Sequence, residues 1–394
     1  MALGTIVRSL TILVGSATAV LASIVLAPAL PAMAAAFGNV ENADFLVRLT
    51  FTMPALSIAV GALFSGILLD RWGRKPVLMA SLILYSVAGT SGFFLDSLLL
   101  ILVGRVFLGL AVSGVISGFT TLITDYFSGG RLDRFMGYQA AAIGVGAMIS
   151  LSLAGYLADI DWRLPFLLHL SALVVIPGVW FSVDEPVRPQ RVSHRQNPSR
   201  QTALPLGALA APYGAGFAGM FVFFVFPVLL PFHLTNQGSP TNSQIGFALS
   251  LQTLSSVISA LSYERLRRRL TFQAVLALTF LAFGVNHLIV AITPLYSFVT
   301  IALLVGGLGI GVLPPNLNVW IASIAPPEKR GQAVANLVTF VFLGQFFAPI
   351  LTQPAVASAG AAVTFGGIAG VSLFLAVIFA RGRHSYHDQV TSPL

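Results

Sequence analysis

The amino-acid sequence predicts an all-α integral membrane protein with twelve transmembrane helices. Of its 394 residues, 56% are hydrophobic and only 9% are charged, and the mean hydropathy is +0.89. A soluble globular chain carries about 25% charged residues. Many apolar runs reach the roughly 20 residues that a helix needs to cross the hydrocarbon core, and the alternation typical of a β-barrel is missing. Because the bilayer core offers the backbone no water, each run must form a helix.

Hydropathy and helix-breaking residues place six helices on either side of a polar stretch rich in arginine and proline. We therefore expect an N-terminal bundle over 1–183, a cytoplasmic linker over 184–205, and a C-terminal bundle with a short cytoplasmic tail over 206–394. The predicted helices span residues 9–35, 44–69, 77–95, 98–126, 134–157, 164–183, 206–234, 243–264, 270–292, 295–323, 331–353 and 359–380.

Positive charges are distributed unevenly between the two membrane faces. An even number of crossings puts both termini on one side, and every Lys and Arg falls on that side except Arg48, Arg105 and Arg163. Because cytoplasmic loops retain positive charge, both termini are predicted in the cytoplasm. The expected location is the cytoplasmic (inner) membrane, crossed many times, with the lipid bilayer as a partner.

A weak internal repeat relates the two halves. At a shift of 194 residues, Asp70–Lys75 (DRWGRK) align with Glu264–Arg269 (ERLRRR), each between the second and third helices of its half. Two halves in the same orientation imply a twofold axis along the membrane normal. A substrate site is expected where the halves meet.

The segment GILLDRWGRKP, residues 66–76, concentrates charge between two apolar runs. Gly73 permits a tight turn, and Arg71, Arg74 and Lys75 would hold that turn at the membrane surface. Asp70, at the end of the second helix, could accept hydrogen bonds from the free amides at the start of a neighbouring helix. A simple topology anchor is the alternative.

On this motif the chain resembles the major facilitator superfamily over nearly its whole length. The resemblance implies a two-bundle fold with a conformational switch, in which Asp70 meets the amides around Gly331 while the chamber opens outward. It also implies that Arg74 pairs with Asp125. The family pattern G-x-L-x-D-R-x-G-R-K-P is matched by Gly66, Leu68, Asp70, Arg71, Gly73, Arg74, Lys75 and Pro76, and the pattern R-x-x-x-G by Arg105 and Gly109.

Ionisable and amide side chains within apolar helices are the candidates for the transport site, because they are costly there unless used or paired. Arg105 is expected to line the chamber and to bind substrate or sense protonation, with a structural role as the alternative. The other proton-coupling candidates are Asp44 and His233. Asp44 and Arg48, one turn apart, could form a gate pair or a proton-sensitive pair, with a solvated i,i+4 pair as the favoured alternative. The candidates for substrate binding, each with helix-to-helix bonding as the alternative, are Gln139, Gln252, Asn316, Asn318, Trp320 and Gln345.

Several classes of function are excluded or disfavoured. The chain has no cysteine, which excludes disulfides. It also has no Walker-type lysine motif for ATP binding, so transport must be uniport or be driven by an ion gradient. We expect no enzyme activity, no cofactor, no metal and no nucleic-acid partner. The protein is expected to be a monomer. The phrases DYFSGGRLDRFMGYQ and WRLPF resemble the family's drug and siderophore exporters. That likeness favours proton-coupled export of a small organic compound (drug-like, amphiphilic or siderophore-like) by rocker-switch alternating access.

Two alternatives stay open. The stretch GVGAMISLSLAGYLAD in the fifth helix lacks the proline of the exporters' G-P-x-x-G-G pattern, and no acid is expected near the midplane. Both observations favour an importer or uniporter of a polar nutrient or metal chelate. A non-transporting sensor or a lipid flippase could use the same fold.

Overall fold

The computed structural model describes residues 2–185, 204–235, 241–293, 295–326 and 329–382. Residues 186–203 of the predicted linker and the tail beyond residue 382 lie outside the described residues. Within the described ranges the structure is helical apart from short connections. The α-helices are α1 (Ala2–Ile24), α2 (Leu30–Ala36), α3 (Ala43–Trp72), α4 (Arg74–Phe94), α5 (Leu98–Tyr126), α6 (Gly130–Ile160), α7 (Ser171–Ser182), α8 (Leu206–Thr235), α9 (Asn242–Arg267), α10 (Phe272–Ile292), α11 (Tyr296–Ile324) and α12 (Arg330–Arg381).

Two of the predicted crossings contain short 3-10 segments with a proline. The first crossing consists of α1, a 3-10 turn at Ala27–Ala29, and α2. The sixth consists of a 3-10 segment at Leu164–Leu170 followed by α7. Pro28 and Pro165 lie at the first turn of these segments, where the amide hydrogen that proline lacks would have no helical partner. Both crossings remain long and apolar enough to span a membrane.

The last helix, α12, makes two passes. Its 52 residues would extend about 78 Å if straight, more than twice the roughly 30 Å hydrocarbon core. At Gly360 the backbone leaves the helical region (φ 82°, ψ 170°), a conformation that glycine adopts without the steric cost of a Cβ. The eleven membrane-spanning segments of the described residues therefore give twelve passes, and the predicted fold class is confirmed.

The apolar core has two parts. One buried cluster, which includes Leu78, Phe119 and Val175, lies within the first half, α1–α7. The second extends into α8–α12, and within it Phe51 of α3 packs against Phe224 of α8 with 6.2 Å between ring centroids. The two halves thus share a continuous apolar core over part of their interface.

The close approach of α5 to α3 depends on Gly109. A Cβ at this position would lie 2.6 Å from the Cβ of Ser57 and 2.9 Å from the Cα of Pro54 on α3. Carbon atoms do not pack at such distances, so the glycine of the R-x-x-x-G pattern serves helix packing.

We expect Gly109→Val to destabilise the protein by about 1–3 kcal/mol, because the added side chain forces α5 away from α3. The measurement is the thermal unfolding midpoint of the purified protein in detergent. Gly137→Val is the matched control, since a Cβ at Gly137 on α6 meets no atom within 4 Å. Equal losses in the two variants would show that crowding at Gly109 is not the cause.

Candidate functional site

The end of α6 and the start of α9 join the two halves at one membrane face. The carboxylate of Asp159 accepts hydrogen bonds from the backbone amides of Asn242 (2.7 Å) and Ser243 (3.0 Å), and another from the Ser243 hydroxyl. The first amides of a helix have no partner within that helix, and they favour a negative charge. Asp159 therefore caps a helix that belongs to the other half.

Small residues next to this cap let α6 and α9 touch. A Cβ at Gly155 would lie 2.5 Å from the carbonyl oxygen of Asn242. The hydroxyl oxygens of Ser152 and Ser250 are 2.8 Å apart, and Ser250 also donates to the carbonyl of Met148 (2.9 Å). This contact leaves no passage between the two helices at this face.

Arg48 makes a second contact between the halves at the same face. Its guanidinium donates to the side-chain oxygen of Gln353 on α12 (2.9 Å) and lies 4.4 Å from the ring centroid of Phe232 on α8. Asp44, one turn earlier, is exposed, and no direct ion pair joins it to Arg48. The prediction of a solvated Asp44–Arg48 pair is therefore wrong, because Arg48 is only 5% exposed and its side chain contacts the other half.

The opposite, cation-rich face is open between the halves. Gly66 on α3, Gly137 on α6 and Gly331 on α12 each have no atom within 4 Å of the place that a Cβ would take. Tyr138 on α6 and Phe340 on α12 are 55% and 39% exposed. Because the same helices are in contact at the other face, the halves separate toward the cation-rich face.

The charged turn between α3 and α4 is held by acids of its own half. Glu185 accepts hydrogen bonds from the backbone amides of Arg74 (2.7 Å) and Lys75 (2.8 Å), the first amides of α4. The Nε of Arg74 lies 3.1 Å from Oδ2 of Asp125, the pairing that the resemblance implied. Its Nη1 lies 3.4 Å from Oδ1 of Asp70. Three carboxylates thus surround this turn.

The turn requires glycine at position 73. The φ of Gly73 is 102°, and a Cβ there would lie 2.8 Å from Oε1 of Glu185. The Nζ of Lys75 donates to the carbonyl of Trp180 on α7 (2.7 Å), while Arg71 is exposed beside the turn. The turn is therefore both tight and docked onto the sixth crossing.

Asp70 and Gly331 are separated in this conformation. The Asp70 side chain is 54% exposed, Gly331 lies exposed at the start of α12, and no hydrogen bond joins them. The resemblance implied their contact for the state that opens at the opposite face. Their separation accompanies the opening of the cation-rich face.

Arg105 lies inside the first half, and its predicted place on the chamber wall is wrong. The side chain is 1% exposed, donates to the carbonyl of Gly89 on α4 (2.9 Å), and lies 4.7 Å from the ring centroid of Phe166. Arg105 thus contacts α4 and the sixth crossing, both of which belong to the first half. These contacts support the alternative that Arg105 has a structural role.

His233 does not face the other half, so its predicted orientation toward the chamber is wrong. Its ring packs edge-on against Phe365 in the second pass of α12, with 5.6 Å between centroids. Phe232, one residue earlier, takes the face of α8 that meets Arg48. Neighbouring residues of a helix differ by about 100° in direction, so His233 points into its own half.

Several of the predicted binding side chains bond between helices instead of meeting at one chamber. Gln139 of α6 donates to the hydroxyl of Ser16 on α1 (2.9 Å), and Asn316 of α11 donates to the carbonyl of Phe272 (3.0 Å). Trp320 stacks on the ring of Phe272 with 5.9 Å between centroids. These residues anchor helices within their own halves.

Other amides are buried without a hydrogen-bond partner among the described residues. They are the side-chain nitrogens of Gln252 and Gln345 and both polar atoms of Asn286. Gln252 and Asn286 lie together beside Gly306, where a Cβ would be 3.3 Å from Nε2 of Gln252 and 2.9 Å from Cγ of Asn286. Asn318, by contrast, is exposed and donates only to a carbonyl of its own helix.

Gln345 lies on α12 beside the face that meets the first half. Gln353 on this helix contacts Arg48, and Phe346 precedes it by seven residues, or about two turns, so these two share one face. Phe342, about one turn before Phe346, packs against the buried cluster of the first half. Gln345 points about 80° away from Gln353 and therefore borders this face; it is 1% exposed, and its amide nitrogen has no hydrogen-bond partner among the described residues.

Aromatic rings on α8 continue this surface toward the open face. Phe217 and Phe221 lie on the same face of α8 as Phe224, which packs against the first half. Their rings are 6.5 Å apart, and Phe217 lies 6.3 Å from the ring of Phe347 on α12. These rings are half-buried, and no Asp or Glu is buried among the described residues. The cleft is thus aromatic and lacks a buried acid.

Sequence reasoning missed Asp159 and Glu185, and it offered Arg48 as part of a gate pair with Asp44 instead of with Gln353 of the other half. For Arg48 a signal existed, since it is one of only two cations on the cation-poor face. For the two acids the signal is weak, because a carboxylate that caps a distant helix has the same local sequence as a solvated one.

Comparison with known proteins identifies relatives along most of the chain. The model of the Major Facilitator Superfamily matches residues 12–240 and 213–392. Multidrug resistance protein 1 of Bacillus subtilis is 23% identical over 295 residues, covering 72% of this chain and 73% of that protein. The quinolone resistance protein NorA of Staphylococcus aureus is 23% identical over 308 residues, covering 75% and 77%.

Solved structures with the same fold cover nearly the whole chain. A bacterial homologue of the human lysosomal transporter Spinster has a TM-score of 0.76 at 14% identity, covering 99% of this chain and 98% of that one. A transporter of the POT family in complex with a thioalcohol-conjugated peptide has a TM-score of 0.77 at 11% identity, covering 98% and 96%. At such identities the likeness shows the fold alone.

We expect Arg48→Ala to loosen the closed face, because it removes a charged hydrogen bond and a ring contact between the halves. Loss of about 2 kcal/mol corresponds to roughly a 30-fold shift in the population of open molecules. The measurement is the labelling rate of a cysteine at position 152 by an impermeant maleimide added on that side. Glu41→Ala, an exposed position just before α3, is the control and should label like the parent; equal rates in all three proteins would contradict the role of Arg48.

Proposed function

The chain belongs to the Major Facilitator Superfamily, and we propose that it exports small amphiphilic organic compounds in exchange for protons by rocker-switch alternating access. The observation that supports this proposal is the cleft between the halves, which is closed at one face, open at the other, and walled by half-buried aromatic rings. By the positive-inside rule the open face is cytoplasmic. The protein would then take up its substrate from the cytoplasm, as a monomer in the inner membrane with both termini inside.

The chemistry of the cleft favours apolar or aromatic substrates. Aromatic faces stack on flat rings and accept varied shapes, and the amide of Gln345 could orient one polar group of the substrate. No buried carboxylate among the described residues is present to neutralise a strongly cationic substrate. Two relatives are named for multidrug and quinolone resistance, which agrees with an aromatic, drug-like substrate class.

Two aspartates at helix ends on opposite membrane faces could stabilise the two alternating states. Asp159, at the end of α6, caps the start of α9 in the other half at the closed face. Asp70, near the end of α3, is 54% exposed at the open face, and the start of α12 at Gly331 is exposed there as well. We infer that tilting the halves releases Asp159 and brings Asp70 to the free amides of α12. The two caps then stabilise opposite states.

The coupling proton has no buried acid to bind among the described residues. Asp44 is exposed, Arg105 is enclosed in the first half, and His233 faces its own half. Of the described acids, Asp70 and Asp125 at the charged turn are placed to link protonation to the switch, because both contact Arg74. The same lack of a buried carboxylate favours uniport as the second candidate function.

We expect Ser152→Cys/Ser250→Cys to form a disulfide under mild oxidation, because the two hydroxyl oxygens are 2.8 Å apart. The bond would hold α6 against α9 and stop transport, and reduction should restore it. The chain has no native cysteine to interfere. The measurement is substrate flux in proteoliposomes before oxidation, after oxidation and after reduction.

The matched control for this crosslink is Ser65→Cys/Ser113→Cys. Those hydroxyl oxygens are 2.9 Å apart, and both belong to the first half. Its disulfide should form without stopping transport, because no relative motion of the halves is blocked. Full flux through the oxidised Ser152/Ser250 pair would rule out rocking at this contact.

The proposed substrate class and coupling are tested together by flux in proteoliposomes. We expect an aromatic amphiphilic dye and a quinolone to move against their gradients when a pH gradient is imposed, and a protonophore to abolish the accumulation. Gln345→Leu should weaken dye binding about fivefold, the worth of one hydrogen bond. Movement of the dye that ignores the pH gradient would establish uniport, and movement of a sugar or amino acid alone would establish a nutrient carrier.

A further inference from the structure

A membrane-facing groove lies between α9, α10 and α11, apart from the cleft between the halves. Its volume is about 940 Å³. The walls are largely apolar and exposed, as Ile258 (55%), Leu281 (45%) and Leu308 (49%) show. In a bilayer such a surface faces lipid rather than water. The occupant that fits the walls is therefore a hydrocarbon chain.

One end of this groove is strongly basic. Arg265, Arg268 and Arg269, at the end of α9 and just beyond it, line that end. Arg268 pairs with Glu264 (2.7 Å), but no hydrogen bond or ion pair joins the guanidinium of Arg265 or Arg269 to any residue that the structure describes. Two exposed cations are thus available to an anion at the membrane surface.

The equivalent turn of the first half differs in its counter-charges. That turn is neutralised by Asp70, Asp125 and Glu185, which contact Arg74 or its neighbouring amide. At the shift of 194 residues, the positions that correspond to Asp125 and Glu185 are Val319 and Phe379. The second copy keeps the cations but lacks two of the three acids, so the described residues leave Arg265 and Arg269 without a counter-charge.

The dimensions of the groove match a lipid. Ten residues of helix separate Ile258 from Arg268, about 15 Å, which is half the thickness of the hydrocarbon core. A second apolar groove of about 390 Å³ lies between α10 and α12, and Leu278 and Leu281 line both. Two neighbouring apolar grooves suit the two acyl chains of one phospholipid, whereas a free phosphate would leave both unfilled.

We propose that this site binds one anionic phospholipid. Its phosphate lies between Arg265 and Arg269, and its acyl chains run along the two sides of α10. Basic pockets between transmembrane helices at the membrane surface bind anionic headgroups in this way. The site is separate from the transport cleft, so it stands whatever the transported substrate is.

The test is native mass spectrometry of the purified full chain with equimolar phosphatidylglycerol and phosphatidylcholine that carry identical acyl chains. We expect one phosphatidylglycerol to be retained with a preference of about fivefold or more over phosphatidylcholine. Each arginine near an anionic headgroup is worth about fivefold. Arg265→Gln/Arg269→Gln should therefore abolish the preference.

Two matched variants separate the headgroup from the acyl chains. Arg131→Gln/Arg134→Gln removes the same charge from exposed positions on α6 and should keep the preference. Ala282→Trp fills the groove without a change of charge and should reduce retention of the lipid. An excess of glycerol phosphate, which has the headgroup chemistry without acyl chains, should not displace it.

The proposal is overturned if the parent protein retains both lipids equally, or if Arg265→Gln/Arg269→Gln keeps the parent preference. Loss of the preference in Arg131→Gln/Arg134→Gln as well would mean that only net charge matters. Displacement by glycerol phosphate would show a site for free anions instead. Circular dichroism of each variant establishes that it is folded, so a failure of folding cannot be mistaken for a loss of lipid.

Discussion

The conformation depends on a carboxylate of one half that caps a helix of the other. Asp159 satisfies the first amides of α9, and this contact exists only while the halves touch at that face. Each free amide at a helix start needs a partner, and the dipole adds an electrostatic preference for an anion. A bond of this kind is strong enough to hold a closed face and small enough to be broken by a rigid tilt. The contact of Arg48 with Gln353 and Phe232 reinforces it.

The charged turn at the opposite face is built differently, because it is secured within one half. Glu185 caps α4, and Arg74 reaches both Asp70 and Asp125. These bonds can persist while the halves rock, since none of them crosses the interface. The turn therefore presents Asp70 at a fixed position, and a moving helix can meet it. In the second half the corresponding cations lack two of these acids, which leaves charge directed toward the membrane surface.

Helical register explains why several sequence candidates are not at the interface. A polar residue in an apolar helix signals that a partner exists, but hydropathy does not tell which neighbour provides it. Arg105 donates a hydrogen bond to a carbonyl of α4, Gln139 donates to a hydroxyl of α1, and Asn316 donates to a carbonyl at the start of α10. Consecutive residues of a helix point about 100° apart, so one can face the other half while the next faces the interior of its own half, as Phe232 and His233 do.

The sequence alone determined the membrane class, the twelve crossings and the family motif, because these follow from hydrophobic length and from charge counted along the chain. It also indicated the pairing of Arg74 with Asp125 through the resemblance. Only the tertiary structure decided that Gly360 divides α12, that Asp159 and Arg48 close one face, and that aromatic rings of α8 and α12 wall the cleft. Those features depend on which helix faces meet, and such contacts join residues that are far apart in sequence and carry no periodic signal.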